Sequence, residues 1–188
     1  LKAVFDVETL TVSASLCVQF SLCAGMELDE ATFSTLKASV AKEAARERAV
    51  RILTASAVSE RELEKRLVQK GTLPTDAADA VAWLKEHRFV DDAATAAQLV
   101  DSAVRKGYGR ARVKNILYEK GIPKNLWDEA LARIPAMDDA IDRFLAAKLR
   151  GRTADEKTIK KTIDALLRRG FSYGEIRDAL RRYEADLE

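Results

Sequence analysis

Apolar positions along this chain recur at helical spacing, and one apolar stripe is written three times, each time behind a glycine. The anchors are Gly71, Gly121 and Gly170, spaced 50 and 49 residues apart. Lys70, Lys120 and Arg169 precede them, and Leu67, Leu117 and Leu166 lie four residues upstream. Six residues after each glycine come Ala77, Trp127 and Ile176, and nine after come Ala80, Ala130 and Ala179. Ten after come Val81, Leu131 and Leu180, and thirteen after come Leu84, Ile134 and Tyr183. These offsets fall on one face of an α-helix. Glycine suits the left-handed turn that closes the preceding helix. The pattern therefore predicts helix, glycine turn and helix, three times over. A fixed internal period predicts an array whose neighbours bury one another's apolar faces.

The flanking pattern fills in the rest. In the first forty residues, Phe5-Asp6-Val7 and Thr9–Val12 read as short β-type runs. Ser13 is placed to cap a brief helix through Leu16, Val18 and Phe20, Ala24-Gly25 makes a turn, and Met26–Leu28 reads as a returning strand. Asp29 is an N-cap candidate for a helix over 31–53, a stretch without Gly or Pro that reads as one long helix or two in succession. Capping boxes are expected at Ser59/Glu62, Thr153/Glu156 and Ser172/Glu175. Pro74 and Pro123 open helices, Pro135 ends one, and an Asp of the pair Asp91-Asp92 caps the helix to Arg105. The fold class expected is mainly α: three tandem three-helix, helix-turn-helix-like repeats in an elongated array, with a small N-terminal α+β segment. The borders drawn are 1–41 for the cap and 42–92, 93–135 and 136–188 for the repeats.

Composition narrows the chemistry. No stretch of the 188 residues approaches the length of a membrane span, and Leu1 opens no secretory signal. The absence of an initiator Met suggests that an upstream tail is missing. Cys17 and Cys23 are the only cysteines, which argues for buried free thiols in a reducing cytoplasm. With His87 the single histidine, a helix-end surface role fits better than metal binding. Gly-x-Ser-x-Gly and His-Glu-x-x-His motifs are lacking, and Gly107-x-Gly109 lies between helices and not after a strand. Asp91-Asp92 and Asp138-Asp139 stand at helix starts, where capping and the helix dipole account for them. The chain is expected to be no enzyme and to need no cofactor or metal.

Charge changes the picture further. The net charge of +2 is unevenly spread: residues 93–135 carry eight basic and four acidic groups, whereas 42–92 carry ten of each. Between 105 and 124, Arg105, Lys106, Arg110, Arg112, Lys114, Lys120 and Lys124 face a single acid, Glu119, with Tyr108 and Tyr118 interleaved. Cations neutralise phosphates and tyrosines stack on bases, so this is a candidate nucleic-acid or acidic-partner surface. A second candidate cluster gathers Arg150, Arg152, Lys160 and Lys161 with Lys148 and Lys157. A solvated helix face is the alternative for both. Trp83, Trp127, Phe89 and Phe171 are expected in the core. Major-groove reading by helix-turn-helix units is a second functional possibility. The first trailing helix, with Asp76, Asp79 and Glu86, and the mixed third one are poor for it.

The units resemble a known family. Ser59-x-x-Glu62-Leu63-x-x-Arg66-Leu67-x-x-Lys70-Gly71, followed by Phe89-Val90-Asp91-Asp92, resembles the first repeat of the bacterial RecX regulatory proteins. Gly107-x-Gly109-x-x-x-Val113-x-x-x-Leu117-x-x-Lys120-Gly121-Ile122 is similar to their second, and Arg168-Arg169-Gly170-Phe171-Ser172-Tyr173 to their third. Phe20-Ser21-Leu22-x-x-Gly25-Met26-x-Leu28 is similar to the leading segment of longer members, while Gly151–Glu156 lengthens the third unit's first connection. The resemblance implies a cytoplasmic, monomeric, non-enzymatic modulator of the RecA recombinase, active in DNA repair, homologous recombination and the SOS response. It implies binding to the filament of RecA on single-stranded DNA, with restraint of ATP hydrolysis, strand exchange and co-protease activity. Contact with DNA, single-stranded or more weakly double-stranded, and no association with membranes are implied too. Double-stranded DNA binding through the helix-turn-helix-like modules is the alternative.

Overall fold

The computed structural model describes residues 1–5, 8–149 and 156–185. The chain divides into two compact units, residues 1–90 and 91–188.

In the first unit, β1 (Lys2–Val4) pairs antiparallel with β2 (Thr9–Thr11), with Ala3 opposite Leu10. Phe5 is not in the strand, and its amide donates to the Glu8 carbonyl at 2.9 Å. The rest of the expected strand, Asp6 and Val7, lies outside the described residues. Helix α1 (Ala14–Gln19) is capped by Ser13, whose hydroxyl accepts from the Leu16 amide at 3.1 Å. Met26–Leu28 forms no strand. Leu28 instead packs on a small cluster around Val12, Leu16 and Leu36, which holds the cap to the next helix. That helix, α2 (Glu30–Ala55), is one 26-residue element, and it runs unbroken through residues 41 and 42. Asp29 caps it by accepting from the Thr32 amide at 2.8 Å. Hydrogen bonding to that amide and to the Thr32 hydroxyl favours the carboxylate and holds Asp29 below the usual carboxylate range.

The first three-helix module uses the second half of α2 with α3 (Glu60–Gln69) and α4 (Pro74–Glu86). Its core holds Leu67, Ala77, Ala80, Val81 and Leu84, the stripe foreseen from the glycine register, together with Ala45, Ala49, Ile52 and Leu63. The second module is α5 (Asp92–Arg105), α6 (Arg110–Glu119) and α7 (Trp127–Ala132), around Val100, Val113, Leu117 and Leu131. A single 3-10 turn over Lys124–Leu126 precedes α7, so Pro123 opens a tighter turn before the helix proper. The third module is α8 (Asp138–Leu149), α9 (Glu156–Arg168) and α10 (Tyr173–Ala185), around Ile141, Leu145, Leu166 and Ile176. Each module thus carries its own apolar core.

The three glycines do the same work in each. Gly71, Gly121 and Gly170 adopt φ of 84°, 71° and 89°. At each, the glycine amide and the one after it turn back on the helix end: Gly71 to Val68 and Thr72 to Leu67, Gly121 to Tyr118 and Ile122 to Leu117, Gly170 to Leu167 and Phe171 to Leu166, at 2.9–3.3 Å. This is the Schellman motif, which satisfies carbonyls that the helix itself leaves open. The same bonds recur at the end of α4, but with Arg88 at φ 58° in the glycine's place. The next residue, Phe89, is 64% exposed and not in the core as expected; it stacks on Trp83 with ring centroids 6.3 Å apart. Trp83 and Trp127 are half-buried against their modules and Phe171 is buried. Both cysteines are free, yet neither is a buried thiol: Cys17 is half-buried and Cys23 exposed. His87 is exposed at the end of α4, with Nδ1 2.8 Å from the Trp83 carbonyl.

Candidate nucleic-acid and partner interface

The basic stretch falls on three local elements of the second unit. Arg105 closes α5 and Lys106 is its C-cap, where cations also suit the helix dipole. Arg110, Arg112 and Lys114 lie on α6, and Lys120 is its C-cap. Lys124 begins the 3-10 turn. Arg105, Lys106, Arg110, Lys114 and Lys124 are exposed, and among the described residues none of the five forms an ion pair. Arg110 donates only to the Leu131 carbonyl, at 3.3 Å. Spacing of four residues sets Arg110, Lys114 and Tyr118 along one face of α6, and Tyr118 is 71% exposed. Such a row of cations ending in an open aromatic ring can neutralise phosphates and stack a base.

Other members of the stretch are engaged. Arg112 is half-buried, and its Nη1 lies 3.5 Å from Glu119, the only acid of the segment. Lys120 is half-buried. Tyr108 is half-buried and packs against the second module's core, so its ring serves the fold. Lys160 and Lys161 are exposed on the N-terminal half of α9. Arg150 and Arg152 lie outside the described residues, as does Thr153 of the expected capping box with Glu156.

The Gly107-x-Gly109 turn has a role that its sequence did not disclose. The amide of Gly109 donates to the Arg169 carbonyl at 2.8 Å, and the Ala111 amide donates to Gly170 at 3.1 Å. Arg169 Nη1 returns to the Lys106 carbonyl at 3.3 Å, and its guanidinium sits 4.8 Å from the Phe144 ring centre. The N-terminus of α6 therefore abuts the C-terminal turn of α9, and open amides meet open carbonyls. These two amides are spent on protein and are not open to a phosphate.

The remaining acidic clusters are structural. Asp91 accepts from the Ala93 and Ala94 amides at 2.8 and 3.0 Å. Asp138 and Asp142 both bind Arg182, at 3.1 and 2.9 Å, and those bonds keep its guanidinium firmly protonated. Ser172 and Glu175 form a reciprocal capping box: the Glu175 amide donates to the Ser172 hydroxyl at 3.2 Å and Glu175 accepts from the Ser172 amide at 2.7 Å. Among the described residues no group of three His, Cys, Asp or Glu is placed to hold a metal ion. No described helix is long and apolar enough to cross a membrane.

Three consecutive helical triads, each with its own core and its own glycine-closed middle helix, define a tandem-repeat protein of helix-turn-helix type with a basic surface. Comparison with known proteins narrows this class. Family models for the first, second and third three-helix domains of RecX match residues 45–84, 91–131 and 138–180. The chain belongs to the RecX family. It is 33% identical over 153 residues to "Regulatory protein RecX" of Cronobacter sakazakii, covering 73% of this chain and 91% of that one. It is 32% identical over 151 residues to the protein of the same name from Escherichia coli O1:K1, covering 73% and 90%. Among solved structures it resembles "Crystal structure of regulatory protein RecX", with a TM-score of 0.76, 21% identity and coverage of 95% and 92%. It also resembles "Crystal structure of RecX from Lactobacillus salivarius", with a TM-score of 0.69, 19% identity and coverage of 80% and 99%.

Proposed function

We propose that this protein is a non-enzymatic regulator of the RecA recombinase. It binds the filament that RecA forms on single-stranded DNA and restrains its ATPase, strand-exchange and co-protease activities. It thereby acts in recombinational DNA repair and the SOS response, as a cytoplasmic monomer. Three RecX-domain matches in chain order are the observation that carries this reading. The exposed cations Arg105, Lys106, Lys114 and Lys124 support it, because a filament on single-stranded DNA offers phosphate beside protein. Repeated modules can make many weak contacts along repeating protomers, which raises avidity without a deep site.

Major-groove reading is the weaker alternative. The trailing helices would have to enter the groove, and α4 presents Asp76, Asp79 and Glu86. Helix α7 is six residues long and opens on Asp128 and Glu129. In α10, Arg182 is committed to Asp138 and Asp142. Sedimentation with RecA–ssDNA filaments, with naked single strands and with duplex tests the reading. Co-pelleting chiefly with filament, together with slowed ATP hydrolysis, is expected. Tight sequence-dependent duplex binding without an effect on the filament would overturn it.

A further inference from the structure

The even charge balance of residues 42–92 conceals an asymmetric surface. Between α2 and α3 lies an open depression lined by Arg48, Arg51, Ile52, Ser56, Arg66 and Lys70. Helical spacing builds it. Residues 48, 51 and 52 share one face of α2, and 66 and 70 share one face of α3. No carboxylate lines it. Two acids reach its cations from the side. Glu47 pairs with Arg51 at 2.5 Å through side chains that are 68% and 73% exposed, and Glu62 pairs with Arg66 at 2.5 Å. Among the described residues, Arg48 and Lys70 have no carboxylate partner, and Arg48 donates to the Thr72 hydroxyl at 2.6 Å. The cluster is not explained by the end of α2, since none of its basic residues lies in the last turn of that helix.

The chemistry of the lining selects its ligand. Three of the four cations are arginines, whose planar fork matches the oxygens of a phosphate. The exposed Arg51–Glu47 pair is weak enough to be exchanged for such an interaction. Arg66 is held by Glu62 at Nε and Nη2 and by Ser56 at Nη1, which leaves Arg48, Arg51 and Lys70 as the cations that can turn to the phosphates of a strand. The floor is Ile52, and no aromatic ring lines the depression on which a base could stack. Binding is therefore to the sugar-phosphate backbone, without sequence preference.

We infer that the α2–α3 depression is a phosphodiester-binding site for single-stranded DNA, separate from the cations of α5 and α6. The site is a property of the protein on naked DNA, so its test needs no recombinase and stands or falls apart from the filament reading. The full chain is titrated with a labelled oligo-dT by fluorescence anisotropy over a range of salt. The double variant Arg51→Gln, Lys70→Gln changes two exposed side chains, and its thermal melt checks that the fold is kept. A fall of about 1.4 in the log–log salt slope, about 0.7 for each phosphate no longer neutralised, is expected. The same fall is expected when Arg105, Lys106, Lys114 and Lys124 are already glutamine. An unchanged slope overturns the site. Inorganic phosphate and polyglutamate serve as competitors at the Ser56 and Lys70 amide signals. Displacement of oligo-dT by either at equal anion concentration would make the site one for a free anion or an acidic peptide, and would likewise overturn it.

Discussion

The Gly109 amide and the Arg169 carbonyl, 60 residues apart, are joined by a 2.8 Å hydrogen bond that sews the second module to the third. Space at this seam is short. A Cβ at Gly170 would sit 2.2 Å from the Arg112 nitrogen, and one at Gly109 would sit 2.4 Å from the Gly170 oxygen. Gly71 has the same turn geometry but nothing within 4 Å of its missing Cβ. Gly71→Ala should therefore cost only the left-handed strain, about 1–2 kcal/mol. Gly170→Ala should cost about 1–3 kcal/mol more through overpacking. Urea unfolding of both variants checks the difference, and equal destabilisation would mean that the seam contributes nothing.

Arg88 offers the converse test. It occupies the left-handed position that glycine holds in the three repeats, at φ 58°, and it is exposed. Arg88→Gly should raise stability, by about 1 kcal/mol from relief of that conformation. A thermal melt shifted upward is the expected result.

The two tyrosines of the basic stretch should part company. Tyr108→Ala removes a ring packed on the second core and should destabilise the protein by about 2 kcal/mol, less than a fully buried aromatic would cost. Tyr118→Ala should leave the melt unchanged but weaken binding to oligo-dT by about 1–3 kcal/mol if its ring stacks a base. Anisotropy and calorimetry on both variants separate the roles.

Neutralising the exposed cations should act through salt. Replacing Arg105, Lys106, Lys114 and Lys124 with glutamine should lower the salt slope on single strands by up to about 2.8 and weaken inhibition of the recombinase ATPase. Arg110 and Arg112 are poorer choices, because they bond Leu131 and Glu119.

Asp29 gives the pH dependence a sign. Its carboxyl titrates lower in the folded chain than in the unfolded one, because the ionised form caps α2. Its contribution is therefore complete above the ordinary carboxylate range and is lost as pH falls through the depressed folded value. Asp29→Asn keeps an acceptor for the Thr32 amide and should remove that part of the acid sensitivity. Melting curves followed from neutral to acid pH should converge for the two proteins at the acid end.

Much of this architecture is local and was therefore legible in the residues. Leu67, Leu117 and Leu166 are fully buried, Ala80, Ala130 and Ala179 are buried, and Ser13, Asp29, Ser59, Asp91 and Ser172 all cap. Each follows from spacing within one or two turns. What escaped depends on partners distant in sequence. Met26–Leu28 has β-type composition but no strand to pair with, so the cap cluster claims Leu28. Phe89 has the apolarity of a core residue, yet the left-handed turn at Arg88 leads it outward. Gly109, at φ −76°, does not need glycine for its backbone, which leaves close approach as the reason for its missing side chain. The neighbour it approaches, Gly170, lies 61 residues away, so spacing within one turn could not disclose it. The cations lining the α2–α3 depression vanished in a net count because residues 42–92 hold as many acids as basic groups, and none of those acids lines it.

Helix α2, about 39 Å of continuous backbone, has a practical consequence for dissecting the protein. Leu36 on its first half belongs to the cap, and Ala45 on its second half belongs to the first module. A truncation at residue 41 would sever a rod and not detach a domain, so any defect it caused would report a frayed helix as much as a missing cap. The cleaner cut leaves Asp29 as the first ordered residue and exchanges Leu36 for a polar side chain, which keeps the rod whole while stripping its covering.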